Sequence, residues 1–196
     1  MSKSGPSASK KQNNAMIKWV ITIFLLTIVI SGTISLISDE LMDRSGIAVA
    51  FVILLFIVLI GIIFDIIGVA VTSADETPFH AMAARKVPGA REAIRLLRKA
   101  ERVSSICNDV VGDICGVVSG SASAAIAVQI LNSFEFSWPR VVSLAMSALV
   151  AGLTVGGKAI GKTFAVNSST TIVHGVGKAV YSLNHISELL RKKKTK

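Results

Sequence analysis

Four long apolar runs separated by short charged stretches organise this chain of 196 residues. The first, Ile17 to Ile37, carries one charge near its start, Lys18. At about 1.5 Å per residue it is long enough to cross a hydrocarbon core of about 30 Å. Lys10, Lys11 and Lys18 precede it as they would a signal peptide, but the run outlasts a secretory apolar core and no A-x-A site follows, so it reads as a span. The second run, Gly46 to Ser73, is interrupted only by Asp65 and is long enough to cross with tilt or to continue past the bilayer. The third, Gly112 to Leu131, is built mainly from Gly, Ser and Ala. The fourth, Pro139 to Gly157, opens on a proline in its first turn, where a missing N–H costs nothing. The pattern predicts an all-α polytopic membrane protein with four transmembrane helices.

Two intervening stretches have a different period. In Gly89 to Ser104, the apolar side chains Ala90, Ala93, Ile94, Leu97 and Ala100 follow helical spacing, and Arg91, Arg95, Arg98, Lys99 and Arg102 take the other positions. Ser168 to Leu190 repeats the arrangement, with Ile172, Val176, Val180, Leu183, Ile186 and Leu190 on one face. These segments predict cytoplasmic amphipathic juxtamembrane helices. The ends divide off as a disordered basic tail over 1–16 and an amphipathic helix end with a basic tail over 181–196.

Composition sharpens the class. Apolar residues make up 52% and charged residues 17% of the chain, with mean hydropathy +0.65, too apolar for an ordinary soluble domain. A net charge of +9 raises nucleic acid as a partner, but the positions of the charges argue against it. Residues 1–18 hold Lys3, Lys10, Lys11 and Lys18 with no acid, and the first connection holds Asp39, Glu40 and Asp43 against Arg44. Residues 74–111 are rich in Arg and Lys, the next connection has Arg140 alone, and the chain after Gly157 is again basic. Basic and non-basic segments alternate, which predicts a multi-pass protein of the cell membrane with both termini cytoplasmic. Anionic lipids at that face are the expected partners, drawn at about 1 kcal/mol per nearby charge.

Small residues recur every fourth position at Gly112, Gly116 and Gly120 and at Ala148, Gly152 and Gly156. Such faces let helix backbones approach closely. Packing within one chain is the expectation, and a homodimer is the alternative use of the same faces.

Few patterns suggest covalent chemistry. Gly156 to Thr163 matches G-x-x-x-x-G-K-[ST], but a phosphate loop needs a preceding buried strand, and here a span precedes it. Asn167-Ser168-Ser169 is a glycosylation sequon placed on the inner side. His80, His174 and His185 are far apart, and Cys107 and Cys115 lie eight apart, at no metal-ligand spacing. No nucleophile and base stand at a readable spacing, so the chain is not expected to be an enzyme. The carboxylates are the better lead, because an unpaired charge in hydrocarbon costs several kcal/mol, roughly, and turns to a partner, water or an ion path. Asp65 falls in the inner half of the second span, Asp109 and Asp113 open the third, and Asp75-Glu76 follow the second on the same side.

The run Ser73-Ala74-Asp75-Glu76-Thr77-Pro78-Phe79 resembles the S-A-A-E-T-A-L signature of the CNNM/CorC transmembrane domain. Gly89-Ala90-x-x-Ala93-x-x-Leu96-Leu97 resembles that family's G-A-x-x-A-L-x-L-L juxtamembrane helix, and Glu101-Arg102 its P-D-R-x-L lead-in to the next span. Gly157 to Thr163 is similar to G-E-x-x-P-K-T after the last span. The resemblance covers about residues 46–180 and leaves the first span as an addition. It implies three spans with a cytoplasmic helical belt, and magnesium transport or homeostasis through serine, asparagine, acidic and backbone oxygens, ligands that suit a hard cation. Ser73 stands at the family serine, and Asp109 or Asp113 stands near the asparagines of G-N-T-x-x-N. Four features depart from the pattern: Lys158 stands at the family glutamate, Gly161 at its proline, the segment between Glu76 and Gly89 is several residues shorter, and no CBS pair follows.

Two functional expectations result. One is a divalent-cation transport or homeostasis protein, intact or degenerate, with Ser73, Asp65, Asp109 and Asp113 as metal ligands and Mg2+ or another divalent cation bound. The other is a non-transporting adaptor that binds another membrane protein or anionic lipid. Under either, Lys158 is expected to find a carboxylate partner or to extend toward the headgroups.

Overall fold

The computed structural model is all-α and describes residues 6–43, 46–134 and 138–193, with side chains described over 16–185 except 39, 42–45 and 135–137. Four helical stretches are long and apolar enough to cross a membrane: Met16–Ser38, Ile47–Ser73, Ala100–Ser133 and Pro139–Asn167. The first belongs to α1 (Pro6–Asp43), the second is α2 (Ile47–Ser73) and the fourth is α7 (Pro139–Asn167). The third is a column of α5 (Ala100–Ser105), a π-helical turn (Ile106–Gly112) and α6 (Asp113–Ser133). Outside these lie α3 (Thr77–Ala84), α4 (Ala90–Leu97) and α8 (Ser169–Lys193).

α2 is the central post. Its first half packs Ala50, Leu54 and Val58 against Ala122 and Ile126 of α6 and Val150 of α7. Ile57 joins Val110, Ile114 and Val118 in a second cluster, which Ile23, Ile30 and Ile34 of α1 cover. Its last turns, with Ala70 and Val71, are buried with Phe79, Leu97, Ala165 and Val173 from α3, α4, α7 and α8. The outer faces stay apolar: Phe24, Phe56, Leu144, Val155 and Ile160 are all more than half exposed. A water-soluble protein rarely leaves so much apolar surface bare, whereas a bilayer accepts it.

Four expectations are corrected here. Residues 6–16 of the tail expected to be disordered are helical, because Ala, Lys and Gln after Pro6 extend the first span's helix outward; residues 1–5 lie outside the described residues. The expected helix from Gly89 to Ser104 is divided, with α4 ending at Leu97 and Lys99 leaving helical backbone at φ −119°, ψ 27°. That break lets the chain turn from α4 into the third column, which starts at Ala100 rather than Gly112. Next, the fourth span does not stop at Gly157 but runs on through the G-x-x-x-x-G-K-T match to Asn167, so that segment is helix interior and forms no phosphate loop.

The fourth correction concerns the small-residue faces. A Cβ added at Gly116, Gly120, Gly152 or Gly156 would meet nothing within 4 Å, and Ala148 is exposed. Of those expected to pack, only Gly112 and its surroundings are tight. Close approach occurs instead at Gly61, where a Cβ would lie 2.8 Å from Cys115 Cβ, and at Gly161, where it would lie 2.8 Å from Ile66 Cγ1. The four-residue repeat identifies small faces but does not say which one α2 selects. Gly120→Ala is therefore expected to leave thermal stability unchanged or raise it by up to about 1 kcal/mol; a loss on unfolding in micelles would mean a helix sits on that face.

The hinge before α4 has its own geometry. α3 ends with Lys86 N–H donating to Ala83 O and Val87 N–H to Met82 O, both 3.0 Å, the two bonds of a Schellman end. Lys86 takes the left-handed conformation at φ +57°, where glycine is usual. Gly89, at φ +84°, lies directly on the Gly177–Lys178 backbone of α8. Beyond it α4 turns Ala90, Ala93 and Leu97 inward and Arg91, Arg95 and Arg98 outward.

Candidate functional site

Among the described residues Asp65 is the one charged side chain that is buried, at 4% exposure, and it stands in the most apolar helix of the molecule. Two lysines of α7 answer it. Lys158 Nζ lies 3.7 Å from Asp65 Oδ1, and Lys162 Nζ lies 3.8 Å from Oδ2. The lysines are four residues apart, so one face of α7 carries both. Gly157 and Gly161 beside them meet Ile62 and Ile66 of α2 without intervening side-chain bulk, which brings the ammonium groups within reach of the carboxylate.

The third column completes the cluster. Gly112 O, at the end of the π-helical turn, accepts from Lys158 Nζ at 3.4 Å. The same turn presents Asn108 to Gly68 of α2, a residue whose missing side chain makes the room Asn108 occupies. Asn108 Nδ2 donates to Ser104 Oγ at 3.2 Å. Two buried oxygens, Asp65 Oδ2 and Asn108 Oδ1, accept no hydrogen bond among the described residues. A π turn costs helical regularity and occurs often at functional sites.

Lys158 is largely buried, its side chain 19% exposed, whereas Lys162 is 56% exposed. The pair Asp65–Lys158 is therefore the dry half of the cluster and Lys162 the wet half. Attraction between the first two is screened least, so Lys158 counts for more than the similar distances suggest. Beside it opens a cleft of about 520 Å³ between α6 and α7, lined by Asp113, Gly116, Gly120, Ser123, Thr154 and Lys158 among others.

The other expected site residues are dispersed. Asp109 is exposed and accepts from Ser105 Oγ at 2.7 Å, and Asp113 is exposed at the cleft. Ser73 is exposed at the end of α2, eight residues beyond Asp65 and so about 12 Å away along the axis. Asp75 accepts from Thr77 N–H and Oγ1 at 3.2 and 3.1 Å, and Glu76 lies 3.3 Å from His80. No group of three or more His, Cys, Asp or Glu residues is gathered for a metal among the described residues. Cys107 and Cys115 are free and buried.

Lys162, Asn108 and the Gly112 carbonyl were not foreseen. Lys162 had a signal, its four-residue offset from Lys158 on a helix. Asn108 had none, because a π turn has no hydrophobic period of its own. Comparison of the chain with protein-family models, curated proteins and solved structures returns no match.

Proposed function

We propose that this chain is a multi-pass membrane protein on the plan of divalent-cation transport and homeostasis proteins in which an ammonium group stands where a cation would bind, so that it serves as a non-transporting membrane adaptor. One observation carries the reading: Asp65, the buried carboxylate of the bundle, is met by Lys158 and Lys162. A divalent ion would have to displace the first ammonium and approach against the second. The reading takes both termini and the helices α3, α4 and α8 to be cytoplasmic, from the alternation of basic and non-basic connections. The open faces at Gly116, Gly120, Gly152 and Gly156 are then the surfaces for another membrane helix or a second copy of the chain.

Asp65 Oδ2 and Asn108 Oδ1, which accept no hydrogen bond among the described residues, favour a second reading, in which the lysines move aside and Mg2+ binds these hard ligands, with Ser73, Asp109 and Asp113 on its route. Thermal unfolding of the purified protein with and without magnesium, manganese and calcium separates the two. The adaptor reading expects no metal-dependent shift in the wild type and a rise in Tm with metal for Lys158→Glu, whose paired carboxylates need a cation. A metal-dependent rise in the wild type would establish the second reading instead.

A further inference from the structure

We propose that the hollow between α3, α4 and α8 is a binding site for a phosphate monoester. It is a pocket of about 360 Å³ that includes Lys86, Arg91, Glu92, Arg95 and Tyr181 in its lining, and it is separate from the Asp65 cluster. The proposal stands whichever reading of that cluster holds.

Charge is the first argument. Among the described residues three cations and one carboxylate face the hollow, and the carboxylate is already engaged: Glu92 Oε1 lies 4.0 Å from Arg95 Nη1 and its side chain is only 14% exposed. No carboxylate lies within ion-pair distance of Lys86 or Arg91 among the described residues. The pocket therefore holds two uncommitted positive charges. A phosphate monoester brings a charge between about −1.5 and −2 and three acceptor oxygens. A guanidinium fork and an ammonium match that group, and the phenol of Tyr181 adds a neutral donor. A carboxylate or a phosphodiester brings a single charge and leaves one cation unanswered.

Rigidity is the second argument. Lys86 and Arg91 flank a short turn that the Schellman bonds of α3 close on one side and the contact of Gly89 with Gly177–Lys178 closes on the other. Tyr181 follows Lys178 by three residues on α8, so the same contact sets its distance from Arg91. Its ring is further held by stacking on His185, centroids 6.1 Å apart. The backbone that carries the donors is thus positioned before a ligand arrives, which lowers the ordering cost of binding. Lys86 occupies a left-handed position that glycine would fill with less strain, and there its side chain lines the pocket.

A membrane lipid headgroup or a small soluble ester can present this chemistry, and the test distinguishes them. Full-length protein is placed in nanodiscs of phosphatidylcholine alone, with phosphatidic acid, or with phosphatidylserine at matched charge. A fourth sample in phosphatidylcholine receives glycerol phosphate in solution. Thermal unfolding and native mass spectrometry give the apparent affinity. Phosphatidic acid or glycerol phosphate is expected to bind and raise Tm, and phosphatidylserine to do so far less. A response to the lipid alone identifies a headgroup, and a response to the soluble ester identifies a free ligand. The double variant Lys86→Gln with Arg91→Gln should lose at least about tenfold in affinity, the scale of a single hydrogen bond between charged groups, about 1.5 kcal/mol. Arg98→Gln with Lys99→Gln, which removes equal charge outside the pocket, should bind within about twofold of the wild type. Tyr181→Phe keeps the ring and should bind about threefold more weakly if the phenol donates, the scale of one neutral hydrogen bond; it serves in place of the double variant if that fails to fold. Absence of binding in every arm, or equal weakening by the Arg98 and Lys99 substitutions, would overturn the proposal.

Discussion

Replacing Lys158 by methionine is expected to destabilise the protein by about 3 kcal/mol or more, the scale for stranding a buried charge. Asp65 is 4% exposed and loses the nearer and drier of its two cations. Lys162 remains 3.8 Å from the other oxygen, but its half-exposed ammonium is screened, so it recovers only part of the loss. Reversible unfolding in micelles gives the number. The double variant Asp65→Leu with Lys158→Met should regain most of the stability, because replacing both members of a buried ion pair by apolar groups is often neutral or better. A near-neutral Lys158→Met would mean that the lysine reaches the headgroup region and contributes little through the pair.

Gly89→Ala should cost about 2–5 kcal/mol. A left-handed backbone penalises an L side chain by roughly 1–2 kcal/mol, and forced contact adds about 1–3 kcal/mol. Here the new Cβ would lie 2.5 Å from Lys178 N and 2.7 Å from its Cα, both backbone atoms that cannot rotate away. Hydrogen exchange should quicken in α4 and the facing part of α8, while the first half of α2 keeps its protection. Gly175→Ala is the control. It lies on α8 with nothing within 4 Å of the added carbon, and helix propensity predicts unchanged or slightly higher stability.

The residues in these two predictions had unequal signals in the sequence. Asp65 stood out because a carboxylate interrupts an otherwise apolar run, and Lys158 because it follows the fourth such run on the basic side. That the two would meet was not written in either run: it needs Gly157 and Gly161 to bring α7 onto Ile62 and Ile66. The same applies to Gly89, which resembled a helix start by its neighbours but gave no sign that α8 would lie on it. The break at Lys99 was hidden for a related reason. Its flanks have good helical period, and only the need to redirect the chain from α4 into the third column ends the helix there.

Span number and all-α class could be read along the chain because both depend on local quantities. An apolar run must be long enough to cross, and with no water in hydrocarbon its backbone groups must bond within the helix. Those requirements act residue by residue and leave their mark in the order of residues, as the four apolar stretches do. Which small-residue face packs, which lysines reach Asp65 and which three helices enclose the basic hollow were decided only by tertiary structure. Each depends on the rotation of one helix against another, and that is set by the combined fit of side chains far apart in sequence, such as Gly61 with Cys115 and Gly68 with Asn108.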